Sequence, residues 1–111
     1  MAPQFFRNMK RFLTHRQRLF LEEMAKRYLW WKSVDEAMDF PAMILTRVMD
    51  IGTTGDVFRL ELTFDRQTIV AALVHAEPGE LRPRSWSFWH YRLGLAESEH
   101  DIPEPPVRRI P

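Results

Sequence analysis

Histidine, serine and clustered carboxylates are the side chains in this chain that could carry chemistry, and their spacing argues against it. His15, His75, His90 and His100 fall on separate segments with no metal-ligand spacing between them. Asp35, Glu36 and Asp39 cluster at an expected helix start. Carboxylates there complement the helix dipole, and no nearby histidine or metal ligand makes them a general acid/base pair. Ser85 and Ser87 precede His90 without the strand–turn–helix context of a nucleophile elbow. Gly52, Gly55, Gly79 and Gly94 form neither a phosphate loop nor a dinucleotide fingerprint. The chain has no cysteine, which excludes disulfides and thiolate metal sites. No set of titratable groups converges, so the expectation is a binding protein rather than an enzyme, with no cofactor and no metal.

The strongest signal for binding is Leu81 to Leu95, LRPRSWSFWHYRLGL. Trp86, Phe88, Trp89 and Tyr91 sit among Arg82, Arg84 and Arg92. Pro83 suits the first turn of a helix and Gly94 its end. On that helix Trp86, Trp89 and Leu93 share one side, and Phe88, Tyr91 and Leu95 lie nearly opposite. A single core absorbs one stripe. The other stripe meets a second layer of the same chain, another subunit or a partner. Because Trp, Tyr and Arg are enriched at binding hot spots, Arg84, Trp86, Phe88, Trp89, Tyr91 and Arg92 form the expected partner-binding set. Which stripe faces the partner is open at this stage, as is a central helix wrapped by the rest of the domain.

A second class of binding is carried by charge. Residues 1–32 have a net charge of +6, residues 33–80 of −6, residues 81–95 of +3 and residues 96–111 of −2, within an overall +1. Arg7, Lys10, Arg11, Arg16 and Arg18, with Lys26 and Arg27 behind them, could contact phosphates. Short helices with tight connections permit a helix-turn-helix arrangement. Its best recognition element is again the aromatic helix, through Arg84, Ser85, Ser87, His90 and Arg92. A DNA-binding regulator acting on operator DNA is therefore one alternative. A homo-oligomer that buries the second stripe against itself is another.

These residues must be positioned by short elements. Phe5, Phe6, Met9, Phe12 and Leu13 give an amphipathic basic helix. Thr14 and Gln17 form a capping box for the next, whose stripe is Leu21, Met24, Ala25 and Tyr28 and which ends in an apolar knot at Leu29, Trp30 and Trp31. Ser33 and Glu36 form a second box, opening a short helix that Phe40-Pro41 interrupts. Residues 42–51 are helical up to Gly52. Residues 57–64 alternate like a strand, yet a lone strand has no partner for its backbone groups, so helix is the expectation there. Asp65 caps a helix with Ile69, Ala72, Leu73 and Ala76 inward, and residues 77–80 turn into the aromatic helix. The fold class is all-α, a single compact domain of five or six short helices with a flexible proline-rich C-terminal tail. Residues 1–95 form the helical domain: basic N-terminal helices over 1–32, then an acidic helical core plus the aromatic helix over 33–95. Residues 96–111, with four prolines, form the tail.

At 111 residues the chain makes one domain. It is 45% hydrophobic and 28% charged, like an ordinary soluble protein. No apolar run approaches the roughly 20 residues that span a bilayer, and the start lacks the apolar core of a secretory signal. The expectation is a cytoplasmic protein without a membrane partner.

Tyr28-Leu29-Trp30-Trp31, residues 44–52 (ILTRVMDIG), Asp56-Val57 and residues 83–89 (PRSWSFW) with Leu93-Gly94-Leu95 also carry a family likeness. Over residues 28–95 this order resembles small bacterial helical proteins commonly encoded beside nucleotidyltransferase toxins of the abortive-infection type. The resemblance implies an antitoxin or accessory subunit that binds and neutralises a cognate nucleotidyltransferase toxin. It also implies a plain helix with a glycine near its end over 57–64, where this chain carries its strand-like alternation instead.

Overall fold

Local capping chemistry starts most of the helices. The computed structural model describes residues 9–108, so Phe5, Phe6 and Arg7 of the expected first helix lie outside the described residues. Within them that helix is α1, Met9–Phe12. Thr14 then closes the full capping box with Gln17 and opens α2, His15–Tyr28. Ser33 accepts the Glu36 N–H and opens α3, Val34–Met38. Pro41, with its fixed φ and no N–H to satisfy, takes the first position of α4, Pro41–Ile51. Thr53 caps α5, Thr54–Thr63, through the Asp56 N–H, and Asp65 caps α6, Arg66–Val74, through the Thr68 N–H. Pro83 opens α7, Pro83–Arg92. A 3-10 turn follows at Glu99–Asp101. The chain is thus all-helical, with no strand among the described residues. Among the described residues there are seven α-helices, where five or six were expected.

The alternating segment resolves as α5. Asp56, Leu60 and Phe64 recur every four residues and are buried, while Phe58 and Leu62 point outward. Helical backbone satisfies its own hydrogen bonds, which an unpaired strand here could not do.

The centre of the molecule is α4, and the aromatic helix packs beside it. Every other α-helix touches α4. Ile44, Leu45 and Val48 of α4 are fully buried with Leu21 and Met24 of α2, Leu60 of α5, Leu73 of α6 and Trp89 of α7. The reading of the aromatic helix as the wrapped element is therefore corrected. Its outer stripe of Phe88, Tyr91 and Leu95 is exposed, whereas α4 buries Ile44, Leu45, Thr46, Val48 and Met49 among its neighbours.

Two glycines are required, for different reasons. A Cβ on Gly52 would lie 2.4 Å from the Val48 carbonyl oxygen, so the chain leaves α4 only without a side chain there. Gly94 has φ +73°. It ends α7 with paired bonds, Gly94 N–H to the Tyr91 carbonyl and Leu95 N–H to the His90 carbonyl.

The expected flexible tail is corrected in its first half. Ala96 is buried, its N–H bonds the His90 carbonyl, and Asp101 accepts the N–H groups of Glu97 and Ser98. Ile102 packs against the core, and the Pro103 carbonyl accepts the Trp86 indole N–H at 2.7 Å. Low apolar content hid this strap, because two apolar contacts and one indole bond suffice to hold it.

Candidate interaction surface

Helix α7 separates its two aromatic stripes as its periodicity requires. Trp86, Trp89 and Leu93 are buried, with Trp89 at 0% exposure and its indole N–H donated to the Met49 carbonyl at 2.8 Å. Phe88, Tyr91 and Leu95 are exposed at 47%, 42% and 36%. Trp86 and Trp89 therefore leave the expected partner-binding set. Their rings fill the core, and both N–H groups are already satisfied. Two further residues of the expected base-reading set are also spent. Ser85 is buried and donates to the Asp50 carbonyl, and His90 is buried with Nδ1 2.7 Å from the Trp86 carbonyl. Neither can reach a base edge, and they are not a nucleophile–base pair.

Helix α5 extends the exposed stripe. Phe58 is 53% exposed and Leu62, one turn on, 74%. Arg92 joins the two helices. Its guanidinium lies 5.5 Å from the Phe58 ring centre and 5.8 Å from that of Phe88. It also donates two bonds, 2.7 and 2.8 Å, to the Glu61 carboxylate, which raises the Arg92 pKa. The cation thus lies within cation–π distance of two rings while its two N–H bonds hold a carboxylate, a combination suited to arginine rather than lysine. Arg92 also lines an open cleft of about 430 Å³, together with the apolar Met49, Val57, Phe58 and Phe88 and with Arg82 and Arg84. Phe58 and Leu62 were absent from the sequence-based set. Their signal was the alternation itself, since placing residues 57–64 on a helix forces 58 and 62 away from 60 and 64.

A buried carboxylate holds α5 in place against α2. Asp56 accepts from the Tyr28 hydroxyl and, at 2.6 Å, from Arg27. The Tyr28 oxygen accepts the Thr53 N–H. Burial pushes the Asp56 carboxyl up, but the bonds from Tyr28 and Arg27 outweigh it and hold the group below the usual carboxylate range. Outside this core, Arg59 donates two bonds to Glu23, and the hydrogen bond from Arg59 lowers the Glu23 pKa. The Arg59–Glu23 pair lines a second, smaller cleft of about 340 Å³, with His15, Arg16, Leu19 and Leu62.

Arg7 lies outside the described residues. Lys10 pairs with Asp39 at 2.6 Å. Arg11 and Arg16 are exposed, Arg18 is half-buried, and Arg16 alone of the three borders the second cleft. A further aromatic pair, Trp30 against Trp31 at 5.8 Å, is exposed on the far end of α2, with Arg47 over Trp31. The knot expected there is half right, since Leu29 is buried and the two tryptophans are not. Among the described residues no group of three His, Asp or Glu side chains could hold a metal ion. No described helix is long and apolar enough to cross a membrane. Comparison with protein-family models, curated proteins and solved structures finds no match to this chain.

Proposed function

We propose that the protein is a protein-binding module whose contact surface is the outward side of α5 and α7. The observation that carries this reading is the exposure of Phe58, Leu62, Phe88, Tyr91 and Leu95 on two neighbouring helices while Trp86, Trp89 and Leu93 already fill the core. Scattered surface apolar residues are ordinary, but Arg92 brings Phe58 and Phe88 of two helices together at one cleft, and aromatic and arginine side chains are enriched at interface centres. The partner suggested by the family likeness is a nucleotidyltransferase-type toxin, with this chain as the antitoxin that covers its nucleotide or RNA site. Arg84 and Arg92 flank the row and complete the contact set.

Co-expression with a nucleotidyltransferase toxin of the abortive-infection type tests the reading. The expected result is co-purification as a defined complex and rescue of growth, both lost in a Phe58→Ser/Phe88→Ser variant that still folds. A folded wild-type chain that neither co-purifies nor rescues growth sinks the toxin assignment. Sedimentation of the chain alone at increasing concentration tests self-association through the same row, for which a monomer at all concentrations is expected.

A further inference from the structure

Charge along the apolar row is one-sided. The first cleft is lined by Arg82, Arg84 and Arg92 and by a single acid, Asp50. Asp50 is already used inside the chain, accepting the backbone N–H and the Nε of Arg82 at 3.1 and 3.2 Å. Its side chain is buried, and Arg92 is itself paired with Glu61. Arg84 is exposed and makes no ion pair among the described residues. The second cleft repeats the pattern. Glu23 is matched by Arg59, while Arg16 is exposed and unmatched among the described residues. Each acid lining the two clefts is paired within the chain, and Arg84 and Arg16 are the guanidinium groups there without an ion pair among the described residues.

We propose that this surface recognises an acidic, apolar-anchored segment of the partner protein. Apolar side chains of that segment pack on Phe58, Leu62 and Phe88, and its carboxylates reach Arg84 and Arg16. The proposal rests on the protein-binding reading and names the chemistry of that partner. A guanidinium matches a carboxylate in a planar, two-bond geometry, and two cations flanking an apolar row select a segment with acids on either side of its anchors. A nucleic acid fits less well. Its phosphates need a continuous basic track, whereas here Arg92 is neutralised by Glu61, Arg59 by Glu23 and Arg82 by Asp50. A second copy would have to set a different, acidic face against this surface. That contact is heterologous and would build rings or filaments.

The test uses the full chain and a fluorescein-labelled peptide of alternating acidic and apolar residues, Glu-Asp-Leu-Phe-Glu-Asp-Leu. Its controls are the Gln/Asn counterpart and a single-stranded oligouridine of matching length. The acidic peptide is expected to bind saturably, about tenfold tighter than the neutral one at low salt, with the advantage shrinking as salt screens the charges. Arg84→Glu abolishes that advantage and Arg11→Glu leaves it. Amide shifts on peptide addition fall at Val57, Arg84 and Ser85. Equal binding of the two peptides, retention in Arg84→Glu, tighter binding of the oligouridine, or concentration-dependent self-association displaced by no peptide overturns the proposal. If the toxin complex forms while the peptides bind equally, only the charge assignment falls. If the peptides behave as expected and no complex forms, the toxin assignment falls and the acidic specificity stands.

Discussion

The indole N–H of Trp86 reaches the carbonyl of Pro103 at 2.7 Å, tying the chain's C-terminal segment across the inner stripe of α7. Ile102 packs on the same core, and Ala96 is buried beneath. Truncation after Leu95 is therefore expected to destabilise the domain by about 2–4 kcal/mol, from one lost buried bond and the exposed apolar surface. Urea denaturation of the truncated chain measures it. A stability equal to that of the full chain would show that the strap contributes nothing.

Trp89 separates packing from hydrogen bonding. Its ring is wholly buried and its N–H bonds the Met49 carbonyl. Trp89→Ala is expected to cost about 3–5 kcal/mol. Trp89→Phe keeps part of the ring but leaves the carbonyl unpaired, for roughly 1–3 kcal/mol. Thermal melts of both variants give the ordering.

The exposed row makes the opposite prediction. Leu62→Ser and Phe88→Ser remove large apolar side chains that face solvent. Each is expected to change stability by no more than about 0.5 kcal/mol while weakening the partner complex. A loss of several kcal/mol in either would place that side chain in the core and remove it from the contact surface.

Acid unfolding follows from four carboxylates held below their usual range. Burial raises Asp56 and Asp50, but the bonds from Tyr28 and Arg27, and from Arg82 and Ser85, prevail. Bonds from Thr68 lower Asp65, and the bond from Arg59 lowers Glu23. A lowered folded pKa means that the unfolded chain binds protons first as pH falls. The stabilisation is then fully present above the unfolded values, roughly pH 4, and is lost as pH drops through the folded ones. Stability is expected to be flat with respect to these groups above about pH 5 and to fall below it. Asp56→Asn is less stable at neutral pH, and its deficit against wild type narrows in acid. A deficit that widens in acid contradicts the assignment.

Gly52 and Gly94 test the two chain exits. Gly94→Ala forces a side chain into left-handed backbone, at about 1–2 kcal/mol. Gly52→Ala drives a Cβ against the Val48 carbonyl, so the end of α4 must shift. The larger loss is expected at Gly52, measured by denaturant unfolding.

Local chemistry made the helices legible from the sequence. Thr14, Ser33, Asp65 and the two prolines announce their helices because capping acts over three or four residues. The two stripes of α7 follow from the helical period for the same reason. Which stripe faces inward depends on α4 lying beneath Trp89, a contact 40 residues away along the chain. The union of Phe58 with Phe88 through Arg92 likewise needs α5 and α7 side by side. The strap from Ala96 to Pro103 was illegible because its composition is that of a loop and its stability comes from a distant indole. Periodicity decides which residues share a side. Only tertiary packing decides which side is left for a partner, because burial is set by what else fills the space.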